Sequence, residues 1–129
     1  MMLRKGGIMI LFEITSKNED ERRYLTAFEL PTNFPVVAEA KMLATKQDGV
    51  RLGNHSHPYC EGFFLVAGSC QIRTWTEKSG IQEHNLTAPA MFMFEAGEEH
   101  ALTCNDQTIL VGYSPMPFEK QDHIPSKNL

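Results

Sequence analysis

From Tyr24 onward the chain changes to short segments rich in β-branched and aromatic residues, and a turn signal interrupts them every eight to twelve residues. That rhythm is what an all-β sandwich or barrel requires. The predicted strands are 23–30, 36–45, 50–57, 61–67, 69–76, 82–87, 90–94, 100–104 and 108–114. Specific breakers lie between them: LPTNFP, QDGV, GS, EKSG, TAPA, EAGE and NDQ. Only 36–45 is ambiguous, because AEAKMLA also suits a helix by propensity. Upstream, the charged run KNEDERR (17–23) reads as a solvated loop or short helix. Downstream, residues 115–129 hold three prolines and little apolar pattern, so the tail is expected to wrap the surface or fray.

The 129 residues, 42% of them hydrophobic, suffice for one compact core and fall short of two. The expected organisation is a single domain, 1–129, with a barrel core at about 36–114, an N-terminal strand extension at 1–35 and a C-terminal tail at 115–129. A net charge of −4 without a Lys/Arg cluster argues against nucleic acid, since phosphate binding needs a basic patch. A small-molecule ligand or substrate fits better. No apolar run approaches the roughly 20 residues of a membrane span, and MMLRKGGIMILF lacks the small-residue cleavage site of a signal peptide. Cys60, Cys70 and Cys104 are an odd number without CxxC spacing, which indicates neither a disulfide framework nor a cysteine zinc site. The expected location is the reducing cytoplasm.

The stretch HSHPYCEG, 55–62, concentrates the chemistry. Residues two apart in a strand share a face, so His55 and His57 point the same way. Glu61 joins them only if the chain reverses, because in a straight strand it lies about 20 Å beyond His55 at ~3.3 Å per residue. Pro58 and Gly62 permit that reversal. By the same parity Phe63 and Leu65 face the interior with Glu61. A fourth donor comes from EAGEEHAL, where Gly97 offers a turn and His100 opens a strand with Leu102 and Cys104 on its side. Three imidazoles and a carboxylate suit one divalent transition metal, Fe, Mn, Ni, Co or Zn, and leave positions open for a ligand if the ion is octahedral.

Gly49, His55, His57, Glu61 and Gly68 stand at the spacing G-x5-H-x-H-x3-E-x6-G, which resembles the first signature motif of the cupin superfamily at every fixed position. The second motif, G-x5-P-x-G-x2-H-x3-N, is met by Gly97 and His100 but not by Pro89, Glu95 and Cys104, which occupy its opening glycine, its proline and its asparagine. The resemblance covers 36–114 and implies a double-stranded β-helix, the jelly-roll barrel, with His55, His57, Glu61 and His100 as metal ligands. The run RLGNHSH, with Gly68 and a tail of the FEKQDHIP kind, is similar to small cupins of surface-polysaccharide and sugar-nucleotide synthesis. Some of those keep similar histidines as acid/base groups without metal.

Other reactive residues read as bland. His84 is expected to be an exposed strand residue and His123 a solvated tail residue. Cys60 is pointed away from His57 by strand parity, Cys104 reads as a small buried apolar residue, and MFMF (91–94) as core or dimer packing. Three functions then compete. The first is a metal-dependent sugar-nucleotide isomerase or epimerase, with Tyr59 as the catalytic proton carrier outside the ligand set. The second is a non-heme iron dioxygenase, for which no substrate-binding arginine is identifiable near the motif. The third is a non-enzymatic ligand-binding or sensor module. A small barrel with an apolar run has reason to cover surface, so a homodimer is expected.

Overall fold

The computed structural model describes residues 9–117 and 119–129. The expectations about residues 1–8, including the start of the N-terminal extension, lie outside the described residues. Alternating polar and apolar positions build the strands β1 (Ile10–Leu11), β2 (Ile14–Glu19), β3 (Tyr24–Phe28), β4 (Glu39–Ala44), β5 (Val50–Ser56), β6 (Glu61–Ala67), β7 (Ser69–Thr76), β8 (Gly80–Thr87), β9 (Ala90–Phe94), β10 (Glu99–Cys104), β11 (Ile109–Ser114) and β12 (Ile124–Pro125). Among the described residues one 3-10 turn, Lys120–Asp122, interrupts the pattern. No described helix is long and apolar enough to cross a membrane.

The strands form two five-stranded antiparallel sheets, ordered β1-β9-β6-β11-β4 and β12-β5-β10-β7-β8, and a separate hairpin β2-β3. Consecutive strands repeatedly switch sheets: β5 belongs to one and β6 to the other, and β10 and β11 repeat the crossing. Each crossing pulls the two sheets face to face, so the inward side chains of both share one core. Phe63, Leu65, Phe92, Phe94 and Leu110 enter it from the first sheet, and Cys70, Ile72, Leu102 and Cys104 from the second. MFMF divides between two cores. Phe92 and Phe94 point inward, while Met91 and Met93 pack outward with Phe12 and Tyr113. Phe28 and Phe34 cover that outer cluster, with Phe28 edge-on to Phe64 at 6.1 Å and Phe34 edge-on to Phe12 at 5.9 Å.

Two expectations are corrected, and two that were open between alternatives are resolved. Lys17–Glu19 belong to β2, and the turn begins only at Asp20, whose carboxylate accepts the amides of Arg22 and Arg23. β2 is exposed along almost its whole length, so its charged residues carry no burial pattern to read. AEAKMLA is a strand, held by β11 along its length, because pairing overrides a weak helical propensity. His84 is half-buried on the inward-alternating face of β8, opposite Ile72. The tail does not fray. β12 pairs with β5 through Ile124 and Ser56 and through Pro125 and His55, and the Glu99 carboxylate accepts hydrogen bonds from the hydroxyl of Ser126, the amide of Lys127 and both the amide and side chain of Asn128.

Candidate functional site

The residues that matter come from four strands and the tail. β5 ends at Ser56, and the turn after it carries His57; Glu61 opens β6, and His100 sits opposite His55 in the β5-β10 ladder. Between His100 and Ala101 the register slips, so Asn54 is an extra residue in β5, with φ of 70° after a φ of 80° at Gly53. A bulge of this kind re-aims the side chains beyond it. Its result is that Leu52 and His55, three apart, both line one cavity. Gly53 is required there twice over: its φ is positive, and a Cβ would stand 3.1 Å from the His100 carbonyl oxygen.

The donor atoms of His55, His57, Glu61 and His100 all lie within 4.8 Å of one another. They form the polar end of a cavity of about 180 Å3 whose opposite wall is Leu43, Leu52, Phe63, Leu102 and Leu110. Two further groups complete the polar end. Lys41 places Nζ 3.0 Å from Glu61 Oε2. His123, from the tail, stacks on His55 with ring centroids 4.6 Å apart and stands 5.3 Å from His57. His123 is therefore not the solvated residue that the tail's composition suggests. The pairing of β12 with β5 carries it over the cavity mouth, a contact between residues 68 apart that no local pattern reveals. Lys41 had a readable signal, since alternation in β4 puts it on the face of Leu43. Tyr59 lies flat on the outer side of His57, at 4.7 Å and 14°, and is not among the cavity-lining residues.

The protons of this cluster can be assigned from geometry. His57 Nδ1 lies 2.9 Å from the carbonyl oxygen of Tyr59, and His100 Nδ1 lies 3.0 Å from that of Glu98. A carbonyl only accepts, so in both rings Nδ1 donates and Nε2 is turned inward. Both Nε2 atoms face the same carboxylate oxygen, Glu61 Oε1, at 3.0 Å from His57 and 3.5 Å from His100. The Glu61 carboxylate is ionised. Burial pushes its carboxyl up, but the imidazoles of His100 and His57 and the charge of Lys41 outweigh burial and hold it below the ordinary carboxylate range. His55 is pushed down to about 4, by burial first and then by the neighbouring histidines, and so presents a neutral ring. His100 Nε2 is buried without a hydrogen-bond partner. Three inward imidazoles, one of them with its buried Nε2 unpartnered, and one ionised carboxylate are a group that could hold a metal ion, with backbone carbonyls fixing two of the rings from behind.

No family model matches the chain, and no curated protein matches it in sequence. Solved structures do match. The chain is similar to a 3,4-ketoisomerase from Thermoanaerobacterium thermosaccharolyticum in complex with TDP-4-keto-6-deoxyglucose, at a TM-score of 0.74 and 15% identity over 90% of this chain and 86% of that one. A 3'-monoepimerase from Streptomyces bikiniensis in complex with dTDP gives a TM-score of 0.78 and 13% identity over 94% of this chain and 71% of that one. The dTDP-4-dehydrorhamnose 3,5-epimerase of Bacillus anthracis, with TDP and pyrophosphate bound, gives 0.74 and 12% over 89% and 76%. At these identities the likeness is one of fold, and the fold is the double-stranded β-helix, the jelly-roll barrel.

Proposed function

We propose that this chain is a mononuclear metal-binding enzyme that moves a proton beside a ketone, in the manner of an isomerase or epimerase acting on a nucleotide-linked keto-sugar. The observation that carries the reading is the convergence of the donor atoms of His55, His57, Glu61 and His100, all within 4.8 Å of one another, at the polar end of a cavity. His55, His57, Glu61 and His100 would hold one divalent transition ion. Bound there, it supplies electrophilic polarisation of a carbonyl.

The remaining work belongs to side chains. Lys41 occupies Glu61 Oε2 and leaves Oε1 to face the ligand cluster. The leucines and Phe63 keep water from the reacting end, where charge is worth more in a drier setting. His123 faces the cavity from outside the ligand set, so a ring nitrogen of His123 is placed to take the proton from the substrate carbon and return it. Tyr59, stacked behind His57, holds that ring in orientation and is the alternative proton carrier. The cavity is small and its lining includes no arginine, so it receives the sugar while the nucleotide stays outside. The bound TDP and TDP-keto-sugar of the structural neighbours support that substrate class.

Elemental analysis of the purified protein beside His57→Ala tests the site. About one equivalent of metal in the wild type, lost in the variant, is the expected result. Deuterium uptake from D2O at the carbon next to the ketone of TDP-4-keto-6-deoxyglucose, followed by NMR, tests the reaction. Uptake without metal assigns the same histidines to acid/base work. Oxygen consumption by iron-loaded protein replaces the isomerase with a dioxygenase, and metal without either reaction leaves a binding module.

A further inference from the structure

Cys70 and Cys104 take no part in the site above, yet they are register partners on β7 and β10. The amide of Asn105 donates to the carbonyl of Ser69 at 3.2 Å, one residue beyond the pair on each strand. That bond makes Cys70 and Cys104 a non-hydrogen-bonded pair, the position in an antiparallel ladder where opposed side chains come closest. Their sulfurs are 3.1 Å apart. Cα atoms at such positions, roughly 4.5 Å apart, fall at the lower edge of the span that disulfides bridge. Joining the sulfurs asks for roughly 1 Å of closure. Cys60 lies elsewhere, packed against the outer cluster of Phe12, Met91, Met93 and Tyr113.

We propose that Cys70 and Cys104 are a redox site at which a hydroperoxide reversibly converts two thiols into a disulfide that joins β7 to β10. The hydrogen bond between the sulfurs prepares the chemistry. It holds the Cys104 thiol below its ordinary range and, together with burial, pushes the Cys70 thiol up, so one sulfur is the nucleophile and the other keeps its proton. Both are buried at the end of the core and border a depression of about 400 Å3 beside Asp48, Gly49, Ser69 and Asn105, the side from which a small peroxide would reach them. The Cys104 thiolate attacks one peroxide oxygen; the O–O bond breaks, and the other oxygen leaves with the electron pair and takes up a proton. The Cys70 sulfur then attacks the sulfenic sulfur, the S–O bond breaks, and hydroxide leaves with the Cys70 proton as water. Two sulfurs lose two electrons and the peroxide gains two. A dithiol reductant reverses the bond by exchange. The disulfide fastens to its neighbour the strand whose other end carries His100.

The test treats the whole chain with hydrogen peroxide, blocks remaining thiols by alkylation, and reads intact mass and a non-reducing peptide map. The expected result is a mass loss of two hydrogens and a peptide linking Cys70 to Cys104, reversed by dithiothreitol. The link persists in Cys60→Ala and is abolished in Cys70→Ser and Cys104→Ser. If the serine variants do not fold, the wild-type map decides alone. Cys70 and Cys104 both still alkylated while Cys60 oxidises, or oxygen accumulating on Cys104 without a cross-link, would overturn the proposal.

Discussion

Glu98 shows how strongly a single position can depend on its setting. It is 1% exposed, one carboxylate oxygen accepts the Glu95 amide at 2.9 Å and the other is buried without a partner. Burial pushes its carboxyl up to about 7 from an ordinary 4.5. The folded state therefore binds a proton that the unfolded state has released, so this contribution to stability is complete below pH ~4.5 and is lost as pH rises through about 7. Glu98→Gln removes the loss. Thermal unfolding should show a variant more stable than wild type at pH 8, by on the order of 3 kcal/mol, and the two should converge near pH 4.5. Two glycines give a second contrast. Gly68 has φ of 87°, and a Cβ there would collide with Thr108; Gly49 has φ of 77° and nothing within 4 Å. Gly49→Ala should cost about 1 kcal/mol for the left-handed backbone alone, and Gly68→Ala several times that, measured by urea unfolding. The sequence motif contains both glycines without separating them, because the difference lies in what packs beside each. It does name all four candidate ligands, whose spacing is local to two turns. His123 and the Cys70–Cys104 pairing escaped it, since each depends on a partner more than 30 residues away.

Among the elements, the tail strand is the clearest case of order imposed from outside. Ile124–Pro125 is two residues long and has no propensity to form alone, yet β5 offers it an open edge and Glu99 gathers the residues that follow. Glu99→Ala should release it. Hydrogen exchange at the amides of Lys127 and Asn128 should accelerate by an order of magnitude or more, while the amides shared by β10 and β7 keep their protection. Equal acceleration in β10 would mean that Glu99 supports the sheet and not the tail. Strands with one buried face were legible, and β6, β7, β9 and β10 fall within a residue of their expected bounds. β3 was expected too, at 23–30, but β2 was not, because a strand exposed along almost its whole length has no alternation to display. The bulge at Asn54 was invisible as well. Parity still placed His55 with His57, both beyond the bulge, but it would have turned Leu52 away from the cavity that Leu52 lines.

At the scale of the molecule, the order of strands in the sheets was beyond periodicity, which sees segments and not their neighbours; the resemblance to cupins supplied the barrel. The same strand order leaves one edge that asks for a partner. β4 closes the first sheet, pairs with β11 on one side only, and exposes Met42 at 74%. Met42 lies in register with Val111, and Val111 with Phe64, so an outward apolar row crosses three strands and is covered at its Phe64 end by Phe28. Val66 continues it on β6 at 54% exposure, and Val36, just before β4, is 86% exposed. An unpaired strand edge beside such a row favours addition of a second copy, either edge to edge or face to face. The expected assembly is a homodimer built on this face, with light scattering at micromolar concentration giving twice 14.6 kDa. Met42→Glu places a charge at the centre of the row and should shift the particle to monomer while leaving metal uptake intact, since Met42 alternates outward from the cavity-lining Lys41 and Leu43. A wild-type particle of 14.6 kDa at that concentration defeats the assembly outright. A dimer that survives Met42→Glu moves it to another face, of which the outer edge strand β8 is the next candidate.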